Sequence, residues 1–250
     1  MSDIHPAAAG GFAQAADAYE RGRPGYPPEA IDWIAEVLGL RDGRDVLDLA
    51  AGTGKLTRAL VSTRARVIAV EPIDEMREQL FAALPDVDAF DGTAESIPLP
   101  DESVDAVTCG QAFHWFRPEE AFHEIHRVLR PGGGLALVWN MRDLSDPLQA
   151  RIQEILLPIG AEVASHRDIA PERLIAASGL FGPVETRTWP YEQHLSRAHL
   201  VDRIASVSYV AVLDPDARAD VLSQVLEAAD GLPEPITIPY TTEVFAADRA

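Results

Sequence analysis

Val46-Leu47-Asp48-Leu49-Ala50-Ala51-Gly52-Thr53-Gly54 places a carboxylate near the end of an apolar run and follows it with a cluster of small residues. The apolar run reads as a buried strand, and the small residues as the turn that opens a helix. Residues without bulky side chains let a ligand lie against the backbone, where the free N–H groups of a helix N-terminus donate to it. A second run, Val67-Ile68-Ala69-Val70-Glu71, ends in a carboxylate 23 positions after Asp48. In a nucleotide site built from strand, turn, helix and strand, that position faces the two ribose hydroxyls. The two runs together argue for a cofactor that carries adenosine. A dinucleotide site would show G-x-G-x-x-G, and the glycine spacing here does not match it.

Upstream, residues 1 to 11 show no periodicity and read as a loosely packed start, with a short helical candidate at Phe12 to Tyr19. The run Arg21-Gly22-Arg23-Pro24-Gly25-Tyr26-Pro27-Pro28 reads as a loop or hinge, since its prolines and glycines do not continue a helix. Ile31, Ile34, Ala35 and Leu38 then recur at helical spacing, closed by Gly39 and Gly43. Downstream the chain alternates. Arg44 to Leu49, Arg66 to Glu71, Val87 to Asp91, Val104 to Cys109 and Gly134 to Asn140 are strand candidates, the last after an Arg130-Pro131-Gly132-Gly133 turn. Helical patterns at Thr53 to Val61, Asp74 to Leu84 and Pro118 to Leu129 separate them, the alternation that builds a parallel sheet. Beyond Asn140 come helical patterns at Pro147 to Ile159, Pro171 to Ser178, Arg197 to Val207 and Pro215 to Ala229, with strands at Val184 to Trp189 and Ile236 to Ala246. The expected fold is α/β and doubly wound, Rossmann-like, with a seven-stranded, mostly parallel sheet, an antiparallel C-terminal strand pair and a helical lid with insertions.

Forty acidic residues against 21 basic ones give a net charge of −19, which repels phosphate backbones and anionic membrane surfaces. No nucleic acid and no membrane are therefore expected among the partners. One cysteine, Cys109, excludes an intramolecular disulfide and a multi-cysteine metal site, and it fits a reducing, cytoplasmic setting. His123 and His126 sit three positions apart beside Glu124 with no third ligand indicated, so no metal is expected.

The Asp48-to-Gly54 stretch resembles the first motif of the class I S-adenosylmethionine-dependent methyltransferases, acidic-x-Gly-x-Gly-x-Gly, with Ala50 at the first small position and Gly52 and Gly54 at the others. The similarity runs over residues 44 to 140 and points to the type 11-like, small-molecule branch. It implies that Asp48, Ala50, Gly52 and Gly54 line the methionine side of S-adenosylmethionine, that Glu71 holds the ribose, and that Pro72 packs on the adenine. The loop Asp91-Gly92-Thr93-Ala94-Glu95 looks like the adenine-side loop of the same family, which implies cofactor contacts from Thr93, Ala94 and Glu95. Tyr19-Glu20-Arg21-Gly22-Arg23-Pro24-Gly25-Tyr26 looks like the lid opening of a subgroup that includes trans-aconitate methyltransferase-like proteins. There Tyr19 and Arg23 would close over the cofactor, Arg23 meeting the cofactor's carboxylate, and Tyr26 would face the acceptor.

Methyl transfer is an in-line displacement, so orientation, desolvation and removal of an acceptor proton are the tasks left to the protein. Cys109-Gly110-Gln111-Ala112-Phe113-His114-Trp115-Phe116 follows the fourth strand and faces the crevice by the switch-point rule. Gln111 suits the methionine end of the cofactor, His114 is the candidate base, and Trp115, Trp139 and Asn140 are candidate acceptor contacts. The expected division is residues 1–43 as N-terminal lid and first helix, 44–140 as cofactor-binding core and 141–250 as C-terminal strands with inserted helices on the acceptor side, all in one structural domain. The activity expected is methyl transfer to an oxygen, nitrogen, carboxylate or carbon nucleophile of a small molecule, with S-adenosylhomocysteine as product. A non-catalytic cofactor-binding protein and a nicotinamide oxidoreductase are the alternatives, and the sequence leaves acceptor identity and oligomeric state open.

Overall fold

The computed structural model describes residues 6–160 and 170–250. In chain order its elements are α1 (Pro6–Gly22), α2 (Pro28–Val37), β1 (Asp45–Leu49), α3 (Lys55–Val61), β2 (Arg66–Val70), α4 (Asp74–Ala83), β3 (Asp88–Phe90) and β4 (Val104–Gly110). A single 3₁₀ turn at Phe113–Trp115 leads to α5 (Pro118–Val128) and β5 (Leu129–Arg142). There follow α6 (Pro147–Gly160), α7 (Pro171–Ser178), β6 (Glu185–Leu195), α8 (Arg197–Ala205), α9 (Ser208–Ala211), α10 (Pro215–Ala228) and β7 (Ile236–Asp248).

The seven strands form one sheet in the order β3-β2-β1-β4-β5-β7-β6. The first five pair in parallel, and β7 runs antiparallel to both β5 and β6. The strands β1, β2 and β4 are nearly continuous apolar runs because helices cover both faces of the sheet. Ile34 of α2 and Leu60 of α3 pack on Val46, Val67 and Val138 on one face. Phe122 and Ile125 of α5, with Ile175 of α7, pack on Leu47, Val107 and Leu137 on the other. A separate core joins α6, α8 and α10 to the far ends of β6 and β7 through Ile152, Leu200, Val225 and Ile236.

Three expectations are corrected. Residues 1–5 lie outside the described residues, but 6 to 11 are not a loose start, because α1 already begins at Pro6 and runs on through Gly22. This helix docks through small residues at helical spacing, Gly11, Ala15, Ala18 and Gly22, all buried: Gly11 lies against the Ser208 backbone and Gly22 against that of Arg203. Arg130 to Gly133 are not a separate turn. They bulge within β5, whose register steps from Leu129 opposite Val104 to Gly134 opposite Ala106. Finally β6 runs on to Leu195, because its pairing with β7 continues past Trp189 to Leu195 opposite Ile236.

The contact at Gly22 is close enough that a Cβ there would lie 2.2 Å from the Arg203 backbone nitrogen. Gly22→Ala should therefore undock α1 from α8 at a cost of roughly 1–3 kcal/mol. Thermal unfolding followed by circular dichroism should show a lower midpoint for the variant. An unchanged midpoint would contradict the docking.

Candidate active site

The strand order reverses between β1 and β4, and the chain leaves these neighbours in opposite directions, opening a crevice at their carboxyl ends. A cleft enclosing about 770 Å³, its open mouth included, lies there. Its walls come from the segment after each strand: Ala50 and Gly52 after β1, Glu71 to Ile73 after β2, Gly92 to Glu95 after β3, and Gly110 to Ala112 after β4. Tyr19 of α1 closes one side, and Met76, Trp115 and Phe116 complete it.

The turns are held by backbone hydrogen bonds that carry the sheet pairing past the strand ends. Ala51 N–H donates to Val70 O (3.1 Å), Glu71 N–H to Phe90 O (3.0 Å) and Gln111 N–H to Val138 O (2.8 Å). Two side-chain-bearing residues of the wall, Ala50 (φ 55°) and Gln111 (φ 63°), sit in the left-handed region. Such backbone costs on the order of 1–3 kcal/mol per residue and concentrates at ligand sites. Gly52 shares that conformation at φ 58°, and a Cβ built on it would meet nothing within 4 Å, so the backbone stays open toward the cleft.

Glu71 is the charged centre of the wall. It is 4 % exposed, and its two oxygens are fixed from opposite sides: Gly52 N–H donates to Oε2 (2.8 Å) and Ile73 N–H to Oε1 (3.0 Å). A carboxylate has lone pairs beyond these two, which remain for a diol. Asp48 lies beneath the turn rather than in the cleft wall. It is buried, and Thr57 Oγ1 donates to its Oδ2 (2.6 Å). Burial raises both carboxyls to about 7, against the backbone hydrogen bonds that lower Glu71 and the Thr57 hydrogen bonds that lower Asp48.

Other residues singled out from the sequence are dispersed around the cleft. Pro72, Thr93, Ala94, Glu95 and Trp115 line it, and Glu95 also accepts the Arg117 N–H (2.8 Å). Gly54 (φ 86°) caps α3 at the N-terminus and faces Leu80. Tyr26 stands behind the wall, its hydroxyl so close to Gly110 that a Cβ there would lie 2.4 Å away. Asn140 ties the lid loop to the sheet, donating Nδ2–H to Gly25 O (2.8 Å) and accepting from Thr242 Oγ1 (2.6 Å). Trp139 is in the core against Phe245, ring centroids 5.8 Å apart. His114 lies in the 3₁₀ turn with its ring 4.8 Å from that of Trp115, outside the cleft wall. Arg23 also lies outside it, donating to Ser206 Oγ and Ser206 O (both 2.9 Å) with its guanidinium over the Tyr19 ring. His126 Nε2 takes a hydrogen bond from Arg249 Nε (3.2 Å).

Sequence reasoning gave no role to Glu20, which fastens α1 to the turn: Thr53 Oγ1 donates to its Oε2 (2.7 Å), and Lys55 and Arg58 pair with it. No spacing rule connects Glu20 to Thr53, because they meet only when α1 docks. Met76 was legible in principle, three residues after Ile73 in the first turn of α4.

The family described as methyltransferase domain matches residues 47–137. An uncharacterized methyltransferase of Mycobacterium tuberculosis is 43% identical over 244 residues, 96% of each chain. A methyltransferase-like protein of Schizosaccharomyces pombe is 35% identical over 237 residues, 92% of each. A ubiquinone/menaquinone biosynthesis C-methyltransferase of Citrobacter koseri is 33% identical over 144 residues, 52% of this chain and 57% of that protein. Among solved structures, a protein of Anaeromyxobacter dehalogenans provisionally named a type II methyltransferase superposes with a TM-score of 0.66 at 26% identity, covering 90% of this chain and 97% of that one. The fold and these relatives agree: the chain belongs to the class I S-adenosylmethionine-dependent methyltransferases. The nicotinamide oxidoreductase alternative falls with that assignment. Among the described residues no helix is long and apolar enough to cross a membrane.

Because folding raises the Glu71 and Asp48 pKa values, their neutral forms favour the folded state. Their contribution to stability is full below the ordinary carboxylate range and is lost as pH rises from there to about 7. The ligand-free protein should therefore lose thermal stability between about pH 5 and 7.5, and Glu71→Gln should lose less over the same window. Thermal-shift midpoints of the two proteins across pH check this, and a difference between them that does not vary with pH would contradict it.

Proposed function

We propose that this protein transfers a methyl group from S-adenosylmethionine to a small-molecule nucleophile and releases S-adenosylhomocysteine. The observation that carries the reading is Glu71, a buried carboxylate held by two backbone N–H groups at the wall of a cleft with an open glycine turn beside it. Glu71 would hold the ribose hydroxyls, Gly52 and Ala50 would face the methionine side, and Thr93, Ala94 and Pro72 would border the adenine. Asp48 would act from below by fixing the turn through Thr57. Gln111, in its left-handed turn after β4, presents a donor and an acceptor at the methionine end.

The cofactor supplies an electrophilic methyl group on a cationic sulfonium, so the protein's tasks are to align the acceptor, exclude water and take up a proton where the acceptor releases one. Tyr19, Trp115 and Phe116 give the cleft apolar walls for the second task. His114, next to Trp115, is the candidate for the third. Residues 1–43 would serve as lid, 44–140 as cofactor core and 141–250 as acceptor side. The net charge of −19 supports a small molecule over nucleic acid as acceptor, and the single buried thiol, Cys109, fits a cytoplasmic setting.

Each charge-assisted hydrogen bond is worth about 1.5–3 kcal/mol. Glu71→Ala should therefore weaken S-adenosylhomocysteine binding by about tenfold or more in calorimetric titration. Affinity equal to that of the unaltered protein would overturn the ribose assignment and the reading built on it.

A further inference from the structure

The docking of α1 on α8 brings two arginines together. Gly22 lies against the backbone of Arg203, and Arg23, the next residue, is near enough to Arg203 for the two charges to act on each other. One position back in each segment the charges are matched, Arg21 Nε donating to Asp202 Oδ2 at 2.7 Å. Arg23 and Arg203 have no such partner: among the described residues neither makes an ion pair, in a chain with nearly twice as many acids as bases. Among the described residues their hydrogen bonds go to neutral oxygens, Arg23 to Ser206 and Arg203 Nε to the Tyr240 hydroxyl (3.2 Å).

Two half-buried guanidinium groups that share one region without an acid are costly. A cation withdrawn from water normally has a counter-ion, and like charges oppose each other. The Arg23 guanidinium is pushed down to about 10, by burial first and by the Arg203 charge second. Among the described residues, the groups other than Arg203 that act on the Arg23 charge are the tyrosines Tyr19, Tyr240 and Tyr209. Tyr240 accepts from Arg203 and donates to Gln193 (3.4 Å), and Tyr209 feels the charges of Arg142, Arg23 and Arg203. This chemistry suits a planar or tetrahedral oxyanion, which a guanidinium fork binds through paired N–H groups.

The position is next to the cleft. Tyr19 lines the cleft and also carries Arg23 on its ring, 4.9 Å from guanidinium carbon to ring centroid. Tyr26, whose hydroxyl backs Gly110 of the cleft wall, also feels the Arg23 charge. Arg23 is thus separated from the cleft by the width of one aromatic ring.

We propose that Arg23 and Arg203 form an oxyanion subsite that seats a carboxylate or phosphate of the methyl acceptor, so that the acceptor is an anionic small molecule. This rests on the methyltransferase reading above. The same chemistry would serve the methionine carboxylate of the cofactor, and the experiment separates the two sources.

Protein saturated with S-adenosylhomocysteine is titrated calorimetrically with citrate and, separately, with inorganic phosphate, in parallel with Arg203→Gln and Arg203→Lys. At least one anion should bind the unaltered protein. Arg203→Gln should weaken that binding about tenfold or more, and Arg203→Lys, which keeps the charge, should fall between the two. The affinity of both variants for S-adenosylhomocysteine should stay within about twofold of the unaltered value. Should Arg203→Gln fail to fold, the lysine variant and the loss of anion binding at high salt carry the test. The subsite is overturned if neither anion binds the saturated protein, or if the variants bind anions as the unaltered protein does. It is also overturned, in favour of the cofactor's own carboxylate, if the variants lose S-adenosylhomocysteine affinity instead. Failure of the unaltered protein to bind S-adenosylhomocysteine at all overturns the methyltransferase reading first and the subsite with it.

Discussion

The reversal of strand order between β1 and β4 is the constraint on which the rest of the structure depends. A right-handed crossover from each parallel strand carries the chain to one side of the sheet, and at the reversal the crossovers part. Just past the strand ends Ala51 pairs outward with β2 and Gln111 outward with β5, so the two segments diverge and leave a cleft between them. Every polar feature of the cleft follows from this placement. Glu71 sits at the end of β2, Gln111 at the end of β4, and the glycine turn at the end of β1, all within one crevice. The two N–H groups on Glu71 then fix its carboxylate where burial alone would let it turn away.

A second constraint is carried by α1. Its C-terminal turn holds Glu20 on Thr53, Lys55 and Arg58 of the glycine turn and the start of α3, while Arg21 and Gly22 hold α8. One helix therefore couples the glycine turn to the C-terminal helices. Tyr19 and Arg23, one turn apart on that helix's end, face the cleft and the Arg203 side chain, so the geometry of both regions is set by a single docking event.

The fold was largely legible because its strands are buried on both faces and show as uninterrupted apolar runs such as Val67 to Val70. Their carboxyl ends line the cleft, so Glu71 and Gln111 were legible from position along the chain, and Ala50 and Thr93 from the resemblance. What escaped reading depends on contacts between distant segments. Helix α1 buries mainly glycine and alanine, whose small faces carry a weak signal in sequence, and its glycines meet the backbone of α8 and α9. The bulge at Arg130 to Gly133 reads locally as a turn, and only its pairing with β4 keeps it in the strand. The roles expected of Asp48 and Tyr26 as direct contacts rested on the resemblance, and that of Asn140 on its place at a strand end. The fold places these residues one layer back, where each holds a cleft-forming segment in position.

Calorimetric titration of the unaltered protein with S-adenosylhomocysteine, with NAD in a parallel run, tests the central claim most directly. Saturable binding of S-adenosylhomocysteine with no heat from NAD is the result that the cleft and its Glu71 carboxylate require. Binding of NAD alone, or of neither ligand, would contradict the account.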